Sequence, residues 1–330
     1  MFPLPSSLNR AGQTAKSAVL VLCGMAAVAR SQLTGQGAVL AFHGLRADGE
    51  PAGVRDESLH LPVSTFRRVC QHLSRGYHVM PLAEMARRLR AGEGLPPRAV
   101  ALSFDDGYAS NYELAFPILR ELGLPATIFL ATGFLDGTDP LWFQQVDLAL
   151  CAGIPLPGAA SLGEWLAELK TLPEEAMRLR VENLLKGVTL PVAPKVTRPL
   201  TWDQVREMRD SGLIDFGGHT HAHPILARCS VEKQRHEIIT CRDRILAELG
   251  QPPRAFAFPN GGPGDFTPET LSLLAEAGFE SAWTMICGRA TAAGPFMHLP
   301  RYGAPESVWE TEATVSGAFE LVRQWKGGRA

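Results

Sequence analysis

The sequence predicts an α/β fold with a parallel sheet of about seven strands, and three observations predict it. Short apolar runs of strand length alternate with amphipathic helical segments along most of the 330 residues. Carboxylates and histidines cluster where two of those runs end. One stretch, 140–200, interrupts the alternation with helical patterns alone, so it reads as an insertion, not a separate domain.

The N-terminal segment 1–36 holds an apolar run at 17–29 (SAVLVLCGMAAVA), which follows Arg10 and Lys16 and ends in an Ala-x-Ala triplet. It supports two readings, a secretory signal of a periplasmic or secreted protein or a helix packed before the first strand of a cytoplasmic one. The run is too short to cross a bilayer as a standard helix, so membrane contact is expected only through this segment.

One domain is expected over 37–330. Its first buried strand is 37–42 (GAVLAF), stopping at His43 and Gly44. Ser64 is the expected cap of a helix in which Phe66, Val69, Cys70 and Leu73 recur at helical spacing up to Gly76. A short strand at 77–80 and an amphipathic helix at 82–89 follow, the helix closed by Gly92 and Gly94. The strand at 99–104 comes next, then a helix over 110–122 that stops at Gly123, and a strand at 125–130. Within the insertion, 142–151, 162–169 and 173–185 read as helices. Alternation resumes with a helix at 202–211 capped by Thr201, a strand at 214–218, and a helix at 230–249 ended by Gly250 and Pro252. A strand at 255–258 runs into the turn Pro259-Asn260-Gly261-Gly262. A helix at 267–277, a strand at 281–286 and a last helix at 310–326 complete the chain.

Composition excludes some function classes. With 45% hydrophobic and 20% charged residues the chain can bury a large core, and a net charge of −2 without a basic run gives no footprint for nucleic acid. The six cysteines form no C-x-x-C pair, which argues against a disulfide framework or a thiolate metal site; each reads as a small buried apolar residue.

The strand at 99–104 ends in Asp105-Asp106-Gly107, and the strand at 214–218 ends in His219-Thr220-His221-Ala222-His223-Pro224. Taken alone, the acids could cap a turn. Taken with the histidines, they offer a different use. His219 and His223 stand at i and i+4, a spacing that lets two imidazoles face one ion. A carboxylate with two histidines is a three-ligand set that leaves positions open for water and substrate. The second carboxylate is then free to take a proton from a metal-bound water.

Ser103-Phe104-Asp105-Asp106-Gly107 resembles the first motif, T-F-D-D-G, of the polysaccharide deacetylases, the NodB-homology family or carbohydrate esterase family 4. His219-Thr220-His221-Ala222-His223-Pro224 resembles their second motif, H-[ST]-x-x-H-P, and the resemblance runs from about Val39 to Tyr302. It implies an irregular (β/α) barrel and a metal-dependent hydrolase that removes N-acetyl groups from an amino sugar or polysaccharide. It further implies Asp105 as general base, Asp106, His219 and His223 as metal ligands, and a divalent cofactor, Zn2+ first, with Co2+, Ni2+ or Fe2+ as alternatives. The implied partner is a carbohydrate. His221 receives no role.

The later motifs depart from the best-known members. Where those carry an arginine-proline segment that orients the base, this chain has Phe256-Ala257-Phe258-Pro259-Asn260-Gly261, similar to the F-A-Y-P-x-G form of another branch. Arg301, in Leu299-Pro300-Arg301, is the candidate replacement partner for Asp105. For the general acid, His298 lies in the region the family uses and His43, at the first strand end, is its rival; a metal-bound water is the third option. Two other functions stay open: hydrolysis of another non-peptide C–N bond, in a formamido or lipid-linked sugar or a small amide, and a catalytically inactive carbohydrate-binding relative. The insertion is expected to bear on substrate choice more than on metal binding.

Overall fold

Ten strands form in the computed structural model, which describes residues 7–159, 161–325 and 327. In chain order they are β1 Ala38–Phe42, β2 Gly44–Arg46, β3 His60–Pro62, β4 His78–Val79, β5 Ala99–Phe104, β6 Ala126–Leu130, β7 Ile214–Gly218, β8 Ala255–Ala257, β9 Ser281–Trp283 and β10 Tyr302–Gly303. Eight of them make one sheet in the order β10-β1-β5-β6-β7-β8-β9, with β4 paired to the start of β5. Every pairing in that sheet is parallel. The short β2 and β3 pair separately, and no apolar run announced them in the sequence.

The segment after Pro295 curls the sheet toward closure into an irregular (β/α) barrel. Leu299 bridges to Trp283 of β9, and Tyr302 pairs with Leu40 of β1. Helices cover the outside, so β1, β5 and β6 are buried on both faces along their whole length. Period-two alternation divides their side chains between two packing clusters. Leu40, Phe42, Leu102, Phe104 and Ile128 face the helix at Val63–Gly76 and its neighbours. Val39, Ala99, Ala101, Phe129, Ala255 and Ala257 face the other way, and the small alanines leave room there for Trp283.

The register places the strand ends level. Phe42 of β1 is opposite Phe104 of β5, and Leu130 of β6 is opposite Gly218 of β7. The ladder continues for one further bond on each pair, from Asp105 N–H to Phe42 O at 2.9 Å and from His219 N–H to Leu130 O at 3.0 Å. His43, Asp105, Asp106 and His219 therefore leave the sheet at one end, the carboxyl end, where parallel α/β barrels carry their chemistry.

Some elements differ from expectation. The helix at Val63–Gly76 starts at Pro62, and the Ser64 hydroxyl donates to Asp48 at 2.8 Å instead of capping. The segment Asn111–Ala115 winds as a wider π turn before the helix Phe116–Leu122, whose first turn holds Pro117, a residue with no N–H for the regular ladder. The last helix is two, Val308–Val315 and Ala318–Trp325, divided at Gly317, whose φ of 86° no helix accepts. Residue 326, the expected end of that helix, lies outside the described residues, as do residues 1–6.

Near the N-terminus, helices Ser7–Leu22 and Met25–Gln32 pack against those two C-terminal helices. Arg30 pairs with Glu312, whose other oxygen also receives His72 Nε2 and the Tyr77 hydroxyl, each at 2.8 Å. Among the described residues no single helix is long and apolar enough to cross a membrane; a pair bent by 71°, Gly12–Leu22 and Met25–Gln32, passes the length and composition test together. The insertion contributes helices Trp142–Cys151, Leu162–Leu169 and Glu174–Leu185, which bury Trp142, Trp165 and Met177 against one another.

Candidate active site

Asp106 is held where it stands by backbone, not by side-chain bonds. Its φ is 73°, and Gly107 beside it is at 86°. Two consecutive left-handed residues turn the chain sharply off the end of β5; the second must be glycine, since a Cβ there would meet Leu135 at 2.9 Å and Leu130 at 3.1 Å. Of the five non-glycine residues with positive φ among the described residues, Asp106, Thr220, His223 and Asn260 belong to this one region. Strained backbone of this kind persists where surrounding structure over-determines it, as at functional sites.

Asp106, His219 and His223 converge, all buried, as the candidate metal group among the described residues. Asp106 Oδ1 lies 3.4 Å from His219 Nε2 and 3.2 Å from His223 Nε2. Both carboxylate oxygens are buried without a hydrogen-bond partner, a costly state for a carboxylate unless a cation takes them. The donor set fits a divalent ion on that ground. His219 Nδ1 bonds the Ala257 carbonyl oxygen at 2.8 Å, which fixes the tautomer and presents Nε2 to the group, the usual orienting contact of a metal-bound imidazole. His223 has no such contact: its Nδ1 is unpartnered, and its ring packs edge-on against Phe143 at 5.4 Å. Burial alone would raise the Asp106 carboxyl, but the two imidazoles outweigh it and hold this group well below the usual carboxylate range.

Asp105 is also buried, with a different neighbour. Arg301, 0% exposed, donates Nη1 to Oδ1 at 2.7 Å and Nη2 to Oδ2 at 2.8 Å, a bidentate pair. The guanidinium is itself fixed, by Nε to the Thr284 carbonyl at 3.2 Å, by Nη1 to the Ser103 hydroxyl at 3.1 Å, and by its stacking 5.4 Å from the Phe129 ring centre. Burial pushes the Asp105 carboxyl up, while Arg301 and then His219 pull it down, and the net shift is below the ordinary value.

Asp105, Asp106, His219 and His223 line a cavity of about 930 Å3, together with His43, Lys170 and Asn260. His43 sits at the end of β1 with its carbonyl bonded by Asn111 Nδ2 at 2.7 Å. His298 is elsewhere: it stacks on Phe266 at 5.8 Å and does not reach the cavity wall, because the chain at 295–298 turns back on itself through a bond from His298 N–H to the Pro295 carbonyl at 3.1 Å. His221 points away from the group, its Nδ1 2.9 Å from the Thr132 hydroxyl and its Nε2 3.6 Å from Asp139.

Several contributors were not read from the sequence. Lys170, from the insertion, reaches Asn260 Oδ1 at 2.9 Å over the cavity. Gln144, also from the insertion, donates to the buried Tyr108 hydroxyl at 2.8 Å, and burial and then the Asp106 charge push that phenol well above its ordinary range. The P-N-G turn at 259–261 was the only signal for Asn260. Nothing in the helical pattern of the insertion marked Lys170 or Gln144, and the insertion proves to touch the histidine loop as well as the cavity.

One stability prediction arises here. His60 of β3 is buried edge-on against Tyr108, and desolvation first, then the neighbouring His43, lower its pKa to about 4 from the ordinary 6.5. A histidine with a depressed folded pKa binds its proton more readily unfolded, so stability is lost as pH falls from about 6.5 to about 4, by roughly 3 kcal/mol in full. Urea unfolding of wild type and His60→Asn at pH 7 and pH 4.5 is expected to give a smaller acid loss in the variant; equal losses would remove His60 as the source.

The sequence family described as polysaccharide deacetylase matches residues 92–282. Two curated relatives are poly-beta-1,6-N-acetyl-D-glucosamine N-deacetylases, 23% identical in Escherichia coli K12 and 45% in Escherichia coli O157:H7 over 244 residues, 66% of this chain. The chain spans only 29% of the length of those relatives. Among solved structures, a deacetylase PplD from Streptococcus pyogenes aligns at TM-score 0.60 and 22% identity over 85% of this chain and 99% of its own. IcaB from Ammonifex degensii aligns at TM-score 0.58 and 19% identity, over 86% and 97%. At these identities the structural likeness speaks for the fold.

Proposed function

The chain belongs to the polysaccharide deacetylase family, and from that premise we propose that it hydrolyses N-acetyl groups from an amino-sugar glycan in a metal-dependent reaction. One observation carries this reading: a buried, unpaired Asp106 between His219 and His223, beside an Asp105 locked by Arg301, on the wall of one cavity. Asp106, His219 and His223 would hold a divalent ion, which would supply Lewis-acid chemistry at this point of the cavity.

The chain's own residues do the rest. Asp105 takes the proton of the attacking water. A carboxylate with a lowered pKa is a weak base, so Asp105 would serve best toward a water that a bound ion had made more acidic. Arg301 occupies one lone pair on each Asp105 oxygen and leaves others free, so it orients the base without blocking it. Attack on the amide carbon gives a tetrahedral centre whose collapse breaks the C–N bond, releasing acetate and an amine that needs a proton. We assign that role to His43, which lines the cavity, whereas His298 is not among its lining residues. Lys170 and Asn260 face the same space and are available to hydrogen-bond the sugar.

The test is acetate and formate release from purified protein across poly-β-1,6-N-acetylglucosamine oligomers, chitooligosaccharides, peptidoglycan fragments and lipid-linked amino sugars. The glycan named for the Escherichia coli relatives is the first substrate to try. Acetate release that disappears in Asp105→Asn, with the ion still bound, is expected. Formate release alone would move the reading to a formamido sugar.

A further inference from the structure

We propose that Glu237 and Arg178 form a charged clamp on the backbone of His221 and Ala222, just before His223, so that the helical insertion is part of the metal centre and not only of the substrate cleft. The inference rests on the metal-binding reading of Asp106, His219 and His223.

The need for such a clamp follows from the asymmetry of the two imidazoles. His219 is fixed by its own ring, through Ala257. The His223 ring has no hydrogen-bonded partner on Nδ1, so its place depends on its backbone, which stands at a φ of 55°. Thr220 Oγ1 accepts from the His223 N–H at 3.1 Å. The residue just before it, Ala222, is held at both its N–H and its carbonyl. Its N–H donates to Glu237 Oε2 at 2.7 Å, and the His221 N–H donates to the same oxygen at 2.9 Å. Its carbonyl accepts from Arg178 Nη2 at 2.7 Å.

Both charges come from helices outside the loop and each is countered. Glu237, 0% exposed, sits on helix Val231–Leu249 and pairs with Lys233 at 2.8 Å. Arg178 sits on helix Glu174–Leu185 of the insertion and pairs with Glu174 at 2.7 Å. Charge-assisted bonds to backbone are about twice as strong as neutral ones, and a buried glutamate accepting two adjacent N–H groups fixes the orientation of both peptides. Glu237 and Arg178 touch no reacting atom; they are positioning residues, acting through the loop on His223.

The experiment is chelator competition for Zn2+ and the visible spectrum of the Co2+-loaded protein, on the full chain. Contacts that orient metal ligands typically carry 10- to 100-fold in affinity, so Glu237→Ala and Arg178→Met are each expected to weaken Zn2+ binding by about that factor and to shift the cobalt bands. Glu237→Gln, which keeps a neutral acceptor, is expected to recover part of the loss. Two controls report fold damage alone: Arg180→Met, on the same insertion helix but directed to Glu168, and Glu312→Gln, in the buried pair with Arg30. Both should leave Zn2+ affinity and the cobalt spectrum unchanged. Unaltered affinity and spectrum in folded Arg178→Met and Glu237→Gln would overturn the clamp, as would equal weakening in the controls. Wild type that takes up neither ion would overturn the metal reading beneath it, a result distinct from either.

Discussion

Asp106→Ala is expected to abolish retention of a divalent ion, whereas wild type carries roughly one per chain. Asp106 is the shared neighbour of both imidazoles, with Nε2 atoms at 3.4 and 3.2 Å from one oxygen, so its loss removes a ligand and the only negative charge in the group. His219→Ala is expected to do the same. Elemental analysis of protein dialysed against Zn2+ checks both.

The second large effect is expected at Arg301. Arg301→Met breaks a fully buried bidentate pair and leaves Asp105 desolvated and alone, at a cost of about 3–5 kcal/mol, measurable by urea unfolding. The sign of the pH dependence follows. In wild type the Asp105 carboxyl titrates below its ordinary value, so its stabilising contribution is complete above the ordinary carboxylate range and is lost as pH falls through the lowered folded value. In Arg301→Met, burial is no longer opposed by the guanidinium and the carboxyl moves above that range. The stability gap between the proteins should therefore narrow as pH falls below neutrality, and the acid limb of the pH–rate profile should move up. Arg301→Lys keeps the charge but not the two parallel bonds, and is expected to fall between. An unmoved acid limb in Arg301→Met would separate Arg301 from the proton transfer.

The sequence made the sheet legible because parallel strands buried on both faces must read as apolar runs, and these runs fall at β1, β5 and β6. The level strand ends then brought Asp105, Asp106, His219 and His223 together, as the motif resemblance implied. Arg301 was named only as a candidate, since nothing local says that residue 301 will pass between β9 and β1; that follows from the closure of the barrel at Leu299 and Tyr302. His298 lies off the cavity for a local reason, the turn that carries its ring onto Phe266. Glu237, Arg178 and Lys170 were illegible because their partners are loop residues outside their own helical pattern, on which each reads as an ordinary exposed charge.

The most direct measurement is acetate release from a poly-β-1,6-N-acetylglucosamine oligomer by metal-stripped protein titrated with Zn2+. Release is expected to be absent without the ion, to rise with it, to saturate near one ion per chain, and to stay absent in Asp105→Asn throughout the titration. Acetate released at the same rate before and after the ion is added, or by Asp105→Asn as fast as by wild type, would contradict metal-dependent deacetylation with Asp105 as its base.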